Sequence, residues 1–355
     1  MKLGLIGLPQ VGKRTLFQLL TGKNGGPNGG KNDGLGLARV RDERFERLVE
    51  IYHPRQETPA FIEFVLLPDL GQQPKSDAQT LRALEDVDVI CHLVRAFEDE
   101  RVFHIEGSVN PERDILRLNG ELQLSDLLFI EKRLERLEKE RGKKQDARKI
   151  AMERDLLTRM RDHLESGNFL GIFALTEEEA KLIAGYPLLT RKALLIILNC
   201  GEDRIADREW GGRLAEPFVR QGFQWFPVSA KIEQELSLLA AADRQAFLED
   251  LQIRQPALDR LTLLCFRMLG LISFFTVGPD EVRAWTARQG IPAPQAARVI
   301  HSDIERGFIR AEVMKFEDLV GMGSEQKVKE GGRLTQKGRD YSVEDGDIIN
   351  FLFHI

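Results

Sequence analysis

The sequence predicts an α/β chain: a doubly wound, mostly parallel sheet with an inserted antiparallel helical hairpin, followed by a smaller α+β unit. Three observations predict it. Five short apolar runs, at residues 2–6, 61–67, 87–94, 193–198 and 223–228, alternate with segments of helical periodicity, the pattern of strands joined by helical crossovers. Between residues 121 and 166 two heptad-like apolar arms flank a glycine turn, which suits two helices packed antiparallel. Beyond Leu271 the texture changes, and short strand candidates surround one amphipathic helix.

Composition sets the outer limits. The 355 residues, 42% hydrophobic, suffice for two or three domains with a sizeable core. Charges nearly balance, with 51 Lys plus Arg against 56 Asp plus Glu and a formal net charge of −5. That excludes a uniformly basic nucleic-acid binder and a strongly acidic disordered chain. Cys91, Cys200 and Cys265 lie far apart, with no CxxC and an odd total, which argues against a disulfide scaffold or a cysteine zinc site and fits a reducing compartment. No apolar run approaches the roughly 18 residues needed to cross a bilayer. Residues 1–14 lack the long apolar region and cleavage site of a signal peptide. A cytoplasmic protein with no membrane partner is expected.

The first strand runs into Gly7-Leu8-Pro9-Gln10-Val11-Gly12-Lys13, after which residues 15–20 read as a helix. In a strand–GxxxxGK–helix unit the glycines let backbone N–H groups turn toward phosphate oxygens. The helix N-terminus adds partial positive charge, and the lysine reaches the β- and γ-phosphates. The candidate phosphate-binding residues are Gly7, Gln10, Val11, Gly12, Lys13, Arg14 and Thr15. The plain alternative is a glycine-rich turn that binds nothing. After the lysine the pattern requires Ser or Thr, whose hydroxyl coordinates Mg²⁺; this chain has Arg14. Thr15 follows about 100° around the helix, aimed away from the metal. A guanidinium beside Lys13 competes with a divalent cation. Either Arg14 abolishes nucleotide binding, or its charge replaces Mg²⁺ in neutralising the phosphates.

Residues 22–36 contain seven glycines among Asn, Lys and Asp and read as a flexible loop. In an NTPase of this type the strand at 61–67 ends in the Asp of a DxxG run. Here Leu66 stands at the Asp position and Asp69 at the Gly position. Asp69 could approach the metal from the loop, but three extended residues span roughly 10 Å. The Mg²⁺ site reads as dismantled, and no catalytic residue or metal ligand is assigned.

In the hairpin, Leu127, Ile130, Leu134 and Leu137 are followed, after Arg141-Gly142-Lys143-Lys144, by Ile150, Leu157, Met160 and Leu164. Between Arg136 and Lys149 seven Lys or Arg face three acids. A solvated helix end explains such a run, as does a tip that contacts RNA phosphates through Arg141, Lys143 and Lys144. Lys327, Lys329, Arg333, Lys337 and Arg339 form a second, smaller basic set.

The strand at 193–198 ends in Asn199-Cys200-Gly201-Glu202, where a GTPase carries NKxD and reads guanine with the carboxylate. NxxE keeps the Asn, lengthens the carboxylate and removes the Lys packing surface, so strict guanine choice is not supported. The next strand leads into Ser229-Ala230-Lys231, the place of a GTPase SAK loop. Asn199, Cys200, Glu202, Ser229, Ala230 and Lys231 are the candidate base-binding residues, with Cys200 read as a packed thiol rather than a redox sensor. In the C-terminal unit, strands are expected at 273–277, 309–313 and 348–353, a helix at 293–305 and a turn at 344–347. The run His301-Ser302-Asp303 is structural, because consecutive residues cannot converge as a catalytic triad.

These motifs resemble the YchF/Obg-like ATPase family, a branch of the P-loop GTPase superfamily, over nearly the whole chain. The likeness rests on the GLPxVGK opening, Asn199-xx-Glu202, the inserted hairpin and a dense C-terminal run. That run includes Phe275-Thr276-Val277-Gly278, Glu281-Val282-Arg283-Ala284-Trp285-Thr286, Glu305-Arg306-Gly307-Phe308 and Asp345-Gly346-Asp347-Ile348-Ile349-Asn350. The resemblance implies an OBG-type G domain (a P-loop NTPase) over 1–120 and 186–268. It further implies a coiled-coil hairpin over 121–185 and a TGS domain, a β-grasp module, over 272–355. It implies ATP bound in preference to GTP, slow hydrolysis and ribosome association. Leu70 matches the hydrophobic residue that replaces the superfamily's catalytic glutamine, and the 22–36 loop lacks the family's switch I Thr. Three readings stay open: a nucleotide-binding protein (ATP and/or GTP) acting on ribosomes or translation with weak or lost Mg²⁺-dependent hydrolysis; a functional ribosome-binding ATPase/GTPase with a rescued Mg²⁺ site; or a nucleotide-free scaffold for RNA or ribosomes. The expected cofactor is ATP or GTP, with Mg²⁺ left open. The expected partner is the ribosome or RNA, with no DNA specificity.

Overall fold

The structure, a computed structural model, describes residues 1–23, 34–71, 74–139, 147–205, 207–250 and 255–354. In chain order the strands are β1 Lys2–Ile6, β2 Leu35–Arg39, β3 Gln56–Thr58, β4 Phe61–Leu66, β5 Val89–Ala96 and β6 Ala193–Cys200. They continue with β7 Gln224–Val228, β8 Leu271–Thr276, β9 Glu281–Arg288, β10 Phe308–Lys315, β11 Thr335–Lys337 and β12 Asp347–Phe353. The helices that matter below are α1 Lys13–Thr21, α2 Glu43–Tyr52, α3 Pro74–Ala83, α4 Pro111–Lys139 and α5 Ala147–Glu165. Two compact units result: Met1–Gly36 with Glu63–Ala257, and Leu37–Ile62 with Leu258–Ile355.

One sheet has the order β2-β4-β1-β5-β6-β7, and its strands β1 and β5 to β7 lie in the first unit. From β4 to β7 neighbouring strands run parallel. Every residue of β5 is buried, and all of β6 after its first residue, as expected of strands covered on both faces. The strand order reverses at β1, which lies between β4 and β5. Ligands of open α/β sheets bind beyond the carboxyl ends of the strands at such a reversal.

The inserted hairpin is present, with one difference of extent. Helix α4 starts at Pro111 rather than near residue 121. Pro111 suits a first helical turn that needs no N–H, and Asn110 Oδ1 accepts the Arg113 N–H at 3.1 Å. Ile115, Leu118 and Leu122 are then buried. Farther along, Ile130 and Leu137 of α4 pack with Leu156, Leu157, Met160 and Leu164 of α5, and Leu127, Leu134 and Ile150 lie against them. Arg133 clamps the arms through bonds of 2.6 and 3.1 Å to the Glu153 carboxylate. The turn with Arg141, Lys143 and Lys144 lies outside the described residues.

The second unit carries a sheet of order β11-β10-β12-β8-β9-β3 over a core that includes Phe274, Ala293, Ala297, Val313 and Phe351. The single helix expected at 293–305 is in fact two, Ala293–Ile300 and Ser302–Arg306. His301 breaks it: its backbone is extended, and its Nδ1 accepts the Asp303 N–H at 3.2 Å to cap the second helix. The His-Ser-Asp run is thus a helix junction. Residues 37–62, expected within a G domain over 1–120, pack in this unit. There β3 pairs parallel with β9, and Arg44 of α2 binds both Asp42 and Asp345 at 2.7–3.1 Å. Among the described residues no helix is long and apolar enough to cross a membrane.

Candidate functional site

The loop after β1 is shaped by contacts with the strand ends around it. A Cβ on Gly7 would sit 2.4 Å from the Leu93 carbonyl oxygen, and one on Gly12 would sit 2.5 Å from Asn199 Nδ2. Gly12 also adopts φ +93°, where a side chain is strained. Gln10, exposed, adopts φ +59°. Both glycines of the motif are therefore demanded by protein packing, independently of any phosphate.

Lys13 opens α1 and is only 5% exposed. Its ammonium donates to the Leu67 carbonyl at 2.8 Å and to the Gly7 carbonyl at 3.5 Å, and it pairs with Asp69 Oδ1 at 2.7 Å. The segment after β4 is held to β1 by Leu67 N–H to Leu5 O at 3.0 Å and to the loop by Leu70 N–H to Gly7 O at 3.2 Å. Asp69 thus reaches the phosphate loop, but as the partner of its lysine rather than as a free metal ligand. Burial is the main influence on Lys13 and lowers its pKa; Asp69 opposes this, and the charge of Arg14 adds to it. Arg14 is exposed and Thr15 half-buried. At the positions where the resemblance expects Mg²⁺ ligands, Arg14 and Leu66 offer no side-chain oxygen, and Asp69 is engaged by Lys13.

At the other end Asn199 is buried at the tip of β6. Its Nδ2 donates to the Val11 carbonyl at 2.9 Å, and its Oδ1 accepts the Ala230 N–H at 3.0 Å. One side chain therefore joins the phosphate loop to the turn after β7. Ser229 caps the following helix by accepting the Ile232 N–H at 3.4 Å. Glu202 and Lys231 are exposed and pair at 2.7 Å. Cys200 is buried with its thiol pushed up to about 12, chiefly by desolvation, and so is unsuited to redox chemistry.

Two buried histidines escaped the sequence reading. His92 faces Ile6 in the β1–β5 register, is 2% exposed, and has no partner for Nδ1. Burial first, then the charge of Lys13, pushes it down to about 3. His104 Nε2 lies 3.0 Å from Asp114 Oδ2, and its Nδ1 accepts the Glu106 N–H at 3.2 Å. His92, Asp114, Arg117, Leu8 and Leu70 help line a cavity of about 20 Å³, close to the size of one water. The only signal for His92 was a polar ring flanked by apolar residues in a buried strand.

Known proteins decide the kinship. The chain is 36% identical over 364 residues to the "Ribosome-binding ATPase YchF" of Bacillus subtilis, covering 99% of both chains. The chain belongs to the YchF/Obg-like ATPase family. Its counterpart of the same description in Escherichia coli O157:H7 is 35% identical over 100% of this chain and 99% of that one. "Obg-like ATPase 1" of Rattus norvegicus is 37% identical, covering 100% of this chain and 92% of the rat protein. The family YchF-GTPase_C, described as "Protein of unknown function (DUF933)", matches residues 271–354. The YchF fold itself is shown by the Schizosaccharomyces pombe YchF GTPase structure, with TM-score 0.85, 28% identity, and coverage of 99% of this chain and 97% of that one.

Proposed function

We propose that this YchF-family chain binds ATP or GTP at the loop 7–13 and acts on ribosomes or translation in the cytoplasm, with Mg²⁺-dependent hydrolysis weak or lost. The observation that carries the nucleotide reading is the Asn199 bridge, which holds the phosphate end and the base end together as one site. The relatives described as ribosome-binding ATPases, matched end to end, support the ribosome as partner. Arg14 and Leu66 at the metal-ligand positions support weak hydrolysis, with the guanidinium supplying charge that Mg²⁺ brings elsewhere. In this reading Asn199, Cys200, Glu202, Ser229, Ala230 and Lys231 surround the base. In the same reading a G domain is followed by a hairpin whose first helix starts at Pro111, then by a TGS domain, and residues 37–62 pack with the C-terminal unit.

Calorimetry with ATP, GTP and ADP, with Mg²⁺ and with EDTA, tests the site. Binding should persist in EDTA; binding that EDTA abolishes removes the charge-replacement idea. For the partner, Arg141, Lys143 and Lys144 carry the proposal, aided by Lys327, Lys329, Arg333 and Arg339, which are exposed, and half-buried Lys337. Contacts to phosphates make binding salt-dependent and indifferent to RNA sequence. Changing Arg141, Lys143 and Lys144 to Glu should weaken ribosome cosedimentation and flatten its salt dependence while nucleotide affinity stays constant. Cosedimentation unchanged across a salt series would return the tip to a solvated helix end.

A further inference from the structure

We propose that Asp69 is a built-in anion on the phosphate-loop lysine, and that it makes the site select nucleoside diphosphates over triphosphates. The proposal rests on the nucleotide reading above and adds a specificity-determining residue to it.

An ammonium has three N–H donors. Those of Lys13 have three acceptors inside the protein, the Gly7 and Leu67 carbonyls and the Asp69 carboxylate. No donor is left for a ligand unless one of these gives way. The three are unequal. The Gly7 contact is the longest at 3.5 Å, so a β-phosphate oxygen can replace it without disturbing Asp69. The Asp69 contact is the shortest at 2.7 Å and is charge-assisted.

The Lys13 side chain is 4% exposed and that of Asp69 31%, so the carboxylate is the more accessible member of the pair. Its backbone is not free to swing aside. On either side, Leu67 donates its N–H to Leu5 of β1 and Leu70 donates to Gly7 of the phosphate loop, and Pro68 fixes one more torsion. A third phosphate reaching for Lys13 therefore brings more negative charge against a fixed carboxylate in a poorly solvated place, where like charges repel strongly. A diphosphate has no such group. The glycine of a DxxG run would present no side chain here at all.

Calorimetry on the full chain in EDTA, with ADP, ATP, GDP and GTP, tests this with wild type, Asp69→Asn and Asp69→Gly. Thermal denaturation beforehand verifies that each variant is folded. Wild type should bind the diphosphates at least about tenfold more tightly, and both variants should gain about tenfold in triphosphate affinity while diphosphate affinity changes less than about threefold. Equal changes for both classes, or no change in either, overturn the role of Asp69 and leave nucleotide binding intact. If wild type and variants bind none of the four nucleotides, the nucleotide reading itself falls, and the selectivity with it.

Discussion

At the base end of the site, the motif residue Asn199 is in place and fully bonded, linking the Val11 carbonyl to the Ala230 N–H. At the phosphate end, Lys13 is in place but paired with Asp69, and the two metal-ligand positions hold Arg14 and Leu66. The two ends share one loop and one sheet edge. What separates them is how much of the fold depends on each residue. Asn199, Gly7 and Gly12 are required by close packing of backbone on strand ends, so replacing them harms the fold whatever the ligand. Arg14 is exposed and Leu66 half-buried, so substitutions there can remove metal chemistry while leaving the fold untouched. Motif residues with two duties remain, and those with one duty have changed.

The largest effect expected from this contrast is on stability. Asn199→Ala would leave the Val11 carbonyl and the Ala230 N–H buried without partners, a destabilisation of about 2–4 kcal/mol. Arg14→Ser should stay within about 0.5 kcal/mol of wild type, as for an ordinary surface site. Urea denaturation of the two variants side by side measures the difference. Equal midpoints would break the comparison.

The phosphate end carries a second stability signature in His92. Its pKa is pushed down to about 3 in the folded chain, from 6.5 when unperturbed. Between those values the unfolded chain takes up a proton that the folded chain refuses. The contribution is therefore complete above about pH 6.5 and is lost as pH falls toward 3, by up to about 1.4 kcal/mol per pH unit. His92→Gln should flatten the slope of unfolding free energy between about pH 6.5 and pH 5. Burial is the larger cause and Lys13 the lesser, so Lys13→Met should flatten it only partly. A slope that His92→Gln leaves unchanged would assign the titration to other groups.

The legible parts of the molecule and the illegible ones divide along a similar line. Strands β5 and β6 were visible as apolar runs because strands buried on both faces leave an unbroken local signal, and the hairpin was visible because heptad spacing repeats. The start of α4 was missed because residues 111–120 carry only two buried apolar positions, Ile115 and Leu118, too few for a period to emerge. The break at His301 was hidden because the apolar spacing carries on past it while the cap is a single side-chain hydrogen bond. In the site, the motifs located Lys13 and Asn199, since spacing encodes them. They could not show that Asp69 would reach Lys13, because that contact depends on how the segment after β4 lies against a loop some 54 residues away in sequence. The partnerless Nδ1 of His92 is likewise a property of packing alone.

A smaller effect sharpens the phosphate side. With Arg14 in place, Mg²⁺ should change nucleotide affinity little. Arg14→Ser removes the competing charge and supplies a hydroxyl, so affinity should become Mg²⁺-dependent by about tenfold, or about 1.4 kcal/mol. Hydrolysis should recover little, because Leu66 still provides no carboxylate. Calorimetry with and without Mg²⁺, together with phosphate release, tests both halves. A variant whose affinity ignores Mg²⁺ would show that the metal site is lost for reasons beyond Arg14.

The smallest effect concerns the base end, where retention of Asn199 does not extend to selectivity. Guanine choice in NKxD relies on a short carboxylate held at a set depth and on a lysine packed against the base. Here the position of the lysine is taken by Cys200, which is buried and uncharged, and the carboxylate is that of Glu202, exposed and already paired with Lys231 at 2.7 Å. A ligand must compete with Lys231 and with water for that carboxylate, so each hydrogen bond it gains replaces one already made. The preference between guanine and adenine nucleotides of equal phosphate number should therefore be less than about tenfold, or 1.4 kcal/mol, or should favour adenine. Glu202→Asp combined with Cys200→Lys should move it toward guanine, read by competition between ADP and GDP. A wild-type guanine preference beyond tenfold would mean that Glu202 leaves Lys231 when nucleotide binds, and that the base end retains recognition as well as structure.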